Sequence, residues 1–153
     1  MALLAMVTAG AAQQAQPRPK SSNQITATRT VHVFTDLERQ LAAALHSGDQ
    51  ATIDRLLTAD FEVRRSSRPG VPVPRADFIS QQHPADIQLG QMAVRLLGST
   101  ALVSFLASNG SAGAFIVDTW TEDGPSWKLA ARYESPAASA ELPSGDKRPS
   151  GRD

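Results

Sequence analysis

Apolar residues recur along the middle of the chain with two periods, and the change of period separates a helical part from a strand part. Leu37, Leu41, Ala44 and Leu45 fall at i, i+4, i+7 and i+8, one stripe of a helix. Thr35-Asp36-Leu37-Glu38 has capping-box spacing, a hydroxyl followed three residues on by a carboxylate, and predicts a helix start there. A start one turn earlier would bring in Val31 and Phe34. Gly48 suits the helix stop and Asp49 the cap of a second helix, whose buried side is Ile53, Leu56 and Leu57. Asp60 to Arg64 alternates as a strand. Pro69, Gly70, Pro72 and Pro74 mark a loop, and Ala76 to Gln82 predicts a third short helix with Phe78 and Ile79 inward.

From Ile87 the period becomes two. A two-residue turn at Gly98-Ser99 pairs Leu96 with Ala101, Val94 with Val103 and Met92 with Phe105, all apolar. Asn109-Gly110 and Asp123-Gly124 are further turn signals. With every turn of even length, Asp118 joins an apolar face made of Met92, Val94, Val103, Phe105, Ile116, Trp120, Trp127, Leu129, Ala131 and Tyr133. Arg95, Leu102, Ser104, Phe115, Val117, Thr119, Lys128, Ala130, Arg132 and Glu134 fall on the other face. That second face is too apolar to be simply solvated, and predicts a contact surface, most simply between two copies of the chain.

The ends differ from this middle. MALLAMVTAGAA resembles the apolar region and small-residue cleavage zone of a secretory signal, although no Lys or Arg precedes it. It is too short to span a bilayer, which needs about 20 apolar residues. Export is therefore the expected localisation, with residues 1–30 a signal-like segment and linker. Residues 31–135 form the expected domain. Residues 136–153, rich in Pro, Ser, Gly and charge, are expected to be a disordered tail.

The 15 basic and 15 acidic residues cancel, and the short Arg64-Arg65-Ser66-Ser67-Arg68 cluster is no nucleic-acid footprint. The chain has no cysteine, so disulfides and thiol chemistry are excluded. Its histidines, His32, His46 and His83, lack metal-ligand spacing, and no metal or cofactor is expected.

Helices, a strand, a short helix and then consecutive strands give an α+β order. Several segments resemble the nuclear transport factor 2-like, or SnoaL-like, superfamily, in its uncharacterised ketosteroid isomerase-like branch. They are Ala42 to Asp49, Leu56 to Phe61, Pro74 to Phe78, Val117 to Trp120, Asp123-Gly124 and Trp127 to Leu129. The resemblance covers about Val31 to Ser135. It implies a curved antiparallel sheet wrapped around a long N-terminal helix, a cone-shaped, cystatin-like roll. It also implies dimers through the outer sheet face. The superfamily holds isomerases, cyclases and dehydratases as well as binding and assembly modules, so fold alone does not select a chemistry.

Three functions stand on these residues. The first is a binding domain that holds a small apolar molecule in the cone, lined by Phe34, Met92, Phe105, Trp120 and Tyr133. The second is an isomerase- or cyclase-like enzyme with Asp118 as general base, since a carboxylate on an apolar concave face is suited to proton abstraction. The third is an assembly module whose cone is plugged by Phe34, Met92, Phe105 and Trp120. Face parity places Arg132 and Glu134 outside, so neither belongs to the expected site. No second acid obviously joins Asp118.

Overall fold

The computed structural model of the chain describes residues 22–110 and 112–137, with side chains from Ala27 onward. Of the expected signal-like segment and linker over residues 1–30, residues 1–21 lie outside the described residues, as does the tail beyond residue 137, while residues 22–30 belong to the first helix. Three helices, α1 (Ser22–Ser47), α2 (Gln50–Leu56) and α3 (Arg75–Ile79), accompany six strands. The strands are β1 (Leu57–Arg65), β2 (Val73–Pro74), β3 (Gln88–Leu97), β4 (Thr100–Asn109), β5 (Ala112–Asp123) and β6 (Ser126–Pro136). They form one curved sheet in the order β2-β1-β6-β5-β4-β3. It is mixed rather than wholly antiparallel, because β1 runs parallel to β6. No described helix is long and apolar enough to cross a membrane.

α1 is a single helix of 26 residues, so the expected capping box at Thr35 is overturned. Thr35 lies in mid-helix, its hydroxyl donating to the Val31 carbonyl at 2.8 Å. The helix continues because the buried stripe does: Phe34 lies one turn ahead of Glu38 and Leu41, and all three are buried. Packing of such a stripe, more than terminal propensity, decides where a helix runs. The stop is as expected. Gly48 takes φ of +72°, a left-handed conformation that costs glycine little. Asp49 then caps α2 by accepting the Thr52 N–H at 3.2 Å. Ile53 and Leu56 are buried, and Leu57 turns directly into β1, where Phe61 and Val63 point inward.

The hairpin registers preserve the expected faces up to one point. Leu96 opposes Ala101 and Val94 opposes Val103. Asn109 pairs with Ala112 and Asp123 with Ser126, so both later turns fall one position further on than expected and keep an even length. Parity therefore survives through Val103–Asp118 and Trp120–Leu129. The pairing then shifts, with Thr119 opposing Ala131. Ala130 is the extra residue of a β-bulge, which sends everything after it to the other face. A second irregularity sits on β3, where Gln91 and Met92 together face Phe105 and Gln91 has φ of +52°.

The core fills the space between α1 and the inner face of the sheet. Phe34, Phe61, Phe105 and Trp120 are its largest fully buried apolar side chains. Each such side chain contributes about 1.5–3 kcal/mol over leaving it in water.

Candidate functional site

Asp118 sits at the centre of β5 and is fully buried, on the inner face where parity places it. A carboxylate there requires a cation or several donors. The bulge at Ala130 supplies the cation. It turns Arg132 inward directly opposite Asp118, so the outward assignment of Arg132 is corrected. Arg132 Nε lies 2.9 Å from Asp118 Oδ1 and 3.2 Å from Oδ2, and Nη2 lies 2.5 Å from Oδ2. Both oxygens thus accept from one guanidinium, the forked geometry that Arg forms best.

A second acid completes the cluster from the helix. Glu38 Oε2 accepts from Arg132 Nη2 at 2.7 Å, and Glu38 Oε1 accepts from the Trp120 indole N–H at 3.1 Å. Glu38 is 3% exposed, a buried partner rather than a cap residue. The guanidinium carbon also stands 5.9 Å from the centre of the Phe105 ring. Burial opposes the charge of Arg132, but the Asp118 and Glu38 carboxylates outweigh it and hold its pKa above the usual value. Burial pushes the Glu38 carboxyl well above the ordinary range and the Asp118 charge adds to this, while Arg132 pulls it back. Two carboxyl groups share one guanidinium, and the excess negative charge falls on Glu38, the carboxyl whose pKa is raised.

The remaining candidate residues separate. Phe34 packs edge-on against Trp120 with centroids 6.0 Å apart and against Trp127 at 5.2 Å. Phe34, Phe105 and Trp120 are each at most 2% exposed and form the packed interior with Val103 and Leu129. Met92 is half-buried at the β3 bulge, its sulfur 3.1 Å from the Thr35 hydroxyl. Tyr133 is a correction: the bulge carries it to the outer face, where it is 47% exposed. Ala131 moves outward with it, and Glu134 moves inward beside Arg65, with Arg65 Nε 3.0 Å from Glu134 Oε2.

Sequence reasoning missed Glu38 and Arg132. Glu38 does carry a signal, because Phe34, Glu38, Leu41 and Leu45 share one helical stripe and the acid interrupts it. The signal for Arg132 is only the need of Asp118 for a cation, which points equally to Lys128 on the same strand.

Several cavities lie away from this cluster. One of 480 Å³ is bounded by Asp60, Glu62, Pro72 and Arg75. Three smaller ones, of 230, 280 and 240 Å³, adjoin at the end of the sheet that carries the β4–β5 turn. None of these four is lined by Glu38, Asp118 or Arg132.

Comparison with known proteins places this architecture. No family model matches the sequence, and no curated protein does. Solved structures do match. A protein from Cytophaga hutchinsonii described as NTF2-like superposes with a TM-score of 0.59 at 18% identity, over 69% of this chain and 97% of that one. The chain has the nuclear transport factor 2-like fold. The CaMKII hub of S. rosetta shares it, with a TM-score of 0.57 at 20% identity over 70% of this chain and 96% of that one. So does a protein from Parabacteroides distasonis, itself only provisionally assigned as a ketosteroid isomerase, at 0.53 and 14% over 68% and 85%. Nuclear transport factor 2-like architecture explains how α1 brings Glu38 to residues on two adjacent strands, since the sheet curves around that helix.

Proposed function

We propose that this chain is a non-catalytic module of the nuclear transport factor 2-like fold that pairs with a second copy through the outer face of its sheet. One observation carries the reading. The outward positions of β4, from Thr100 through Leu102, Ser104 and Leu106 to Ser108, carry no charge, and neither do those of β5 from Gly113 to Thr121. Ala131, Tyr133 and Ser135 extend the uncharged surface on β6. Leu102 is 36% and Phe115 43% exposed within it. Charge returns at the margins, at Arg95 on β3, at Glu62 and Arg64 on β1 and at the Asp123–Lys128 pair by the β5–β6 turn. An apolar centre with a charged rim is the anatomy of an interface, whereas a solvated sheet face carries charge throughout. One uncharged patch on the outer face of the sheet suits a two-fold pairing of like with like.

The cluster within the sheet supports the non-catalytic part. A general base must be reached by the proton it removes. Asp118 has no exposed surface, and both its oxygens are engaged by Arg132. A hub domain is among the proteins that share the fold.

Analytical ultracentrifugation tests the pairing. The expected result is a species of twice the chain mass, converted to a monomer by Phe115→Glu together with Leu102→Glu, with unchanged far-UV circular dichroism. A wild-type chain that sediments as a monomer at every concentration overturns it.

A further inference from the structure

The two edges of the sheet are unlike each other, and the pairing of outer faces gives the longer one no role. β2 closes one side with 2 residues, one of them Pro74, and a short strand with proline is a common way to blunt an edge. β3 forms the other side with 10 residues, no proline and one charge, Arg95. Among the described residues no strand lies beyond it. We propose that residues 93–97 of β3 accept an extended peptide as a further antiparallel strand, one that sets an acidic residue opposite Arg95 between apolar residues branched at Cβ. This surface goes beyond the proposed pairing and stands whether or not the chain dimerises.

The backbone of this run is regular and half of its polar groups face outward. The bulge at Gln91 and Met92 interrupts β3, but residues 93–97 pair without a break with residues 100–104 of β4. The two-residue turn at Gly98-Ser99 makes Leu97 and Thr100 the hydrogen-bonded pair that closes the hairpin. Such pairs alternate along an antiparallel ladder, so Ala93, Arg95 and Leu97 direct their N–H and C=O groups to β4. Those of Val94 and Leu96 face the free edge. The side chains point to the same vacancy beside the strand. Leu96 lies on the inner face and Leu97 on the outer, and they are 50% and 46% exposed. A second copy on the outer face reaches Leu97 only. A strand added in the plane of the sheet covers both, because its side chains flank those of its neighbour on each face.

Charge decides between the occupants. Arg95 is exposed and joins no ion pair among the described residues. A second β3 laid antiparallel over the whole run would centre on Arg95 and set two guanidinium groups side by side, and like charges directly opposite destabilise a strand pair. An acid from a different sequence makes the favourable cross-strand pair at the same position. The peptide positions opposite Val94 and Leu96 share the inner face with them and take apolar side chains, of which those branched at Cβ suit a strand.

The test adds the synthetic peptide Ser-Val-Ile-Glu-Val-Thr-Ser, blocked at both ends, to the whole chain and follows amide hydrogen exchange by NMR. The peptide should slow exchange at Val94 and Leu96 saturably, by roughly tenfold or more, and leave Arg95 and Leu97, already bonded to β4, little changed. Lysine in place of the peptide's glutamate should weaken binding roughly fivefold, and Arg95→Glu should reverse that preference. Leu96→Pro removes a donor from the free edge and no bond to β4, so it should abolish binding in a protein whose spectrum stays dispersed. No saturable protection, protection that survives Leu96→Pro, or a preference for the acidic peptide that Arg95→Glu leaves unchanged would each overturn the proposal. So would Val94 and Leu96 amides that are protected before peptide is added. Protection that grows with chain concentration would assign the edge to a second copy, and protection at every concentration would assign it to a terminal segment of the chain itself.

Discussion

Arg132 lies between Glu38 and Asp118, its Nη2 2.7 Å from the Glu38 carboxyl and 2.5 Å from the Asp118 carboxyl. One guanidinium thereby ties the long helix to the middle of the sheet, across 94 residues of sequence on one side and 14 on the other. The indole of Trp120 closes the arrangement by donating to the other oxygen of Glu38. All four side chains are buried, so each supports the placement of the rest.

Removing the cation should be far worse than its ion pairs are worth. Arg132→Met leaves two carboxyl groups inside the fold with no counter-charge, and breaking a buried pair in this way costs about 3–5 kcal/mol. The urea midpoint should fall accordingly. Arg132→Lys should recover little of the loss, because a point charge cannot reproduce the forked contact with Asp118 while also reaching Glu38.

Glu38 should give the domain an unusual pH dependence. Its folded pKa is raised, first by burial and then by the Asp118 charge. A carboxyl raised in this way contributes stability that is fully present below the ordinary glutamate value, about 4.3. That contribution is lost as pH rises through the folded pKa, because the unfolded chain releases the proton first. Glu38→Gln keeps the shape and removes the proton equilibrium. The wild type should therefore lose stability relative to Glu38→Gln as pH is raised above the ordinary glutamate value, as read by thermal melts across buffers. A constant difference between the two proteins would contradict a raised Glu38 pKa in the folded chain. Asp49 and Asp54 work in the opposite sense, since hydrogen bonds from Thr52 and Arg75 hold their pKa values low and their contribution is lost as pH falls.

The joint between the first two helices was legible in the sequence, because its signals are local. Gly48 takes the left-handed φ, and nothing would crowd a Cβ there, so Gly48→Ala tests backbone strain alone. It should cost about 1 kcal/mol. Asp49→Ala removes the cap on the Thr52 N–H and should cost about 1 kcal/mol as well. Chemical denaturation of the two single variants measures both.

The hairpins were legible for a related reason. Turn residues and alternating apolar positions determine parity, and parity tolerates a turn displaced by one position as long as its length is even. This is why Asp118 and Trp120 fall on the expected face although both later turns shift. The cluster was not legible, because its two missing members depend on non-local events. Glu38 matched a helix-start signal that the continuing stripe overrode. Arg132 reached the inner face through a bulge in LAAR, a stretch with no glycine and no turn residue to announce it. The two alanines present no bulky side chain, so an extra residue there displaces none, and the tertiary gain from Arg132 decides the register.

Deletions in β6 are the direct test of that account. Removing Ala130 alone takes out the extra residue and leaves Arg132 opposite Asp118 in unbroken alternation with Leu129, so that variant should keep a dispersed NMR spectrum and a cooperative melt. Removing Ala130 and Ala131 together puts Tyr133 opposite Asp118 and turns Arg132 outward. The carboxylate would lose its cation, at about 3–5 kcal/mol, while a bulky ring entered a filled core, at about 1–3 kcal/mol. The double deletion should therefore fail to give a dispersed spectrum or a cooperative melt. Combining it with Tyr133→Arg, which returns a guanidinium to the position facing Asp118, should recover cooperative unfolding in part. A double deletion that folds as stably as the wild type would mean that the register is not set by the contact between Arg132 and Asp118.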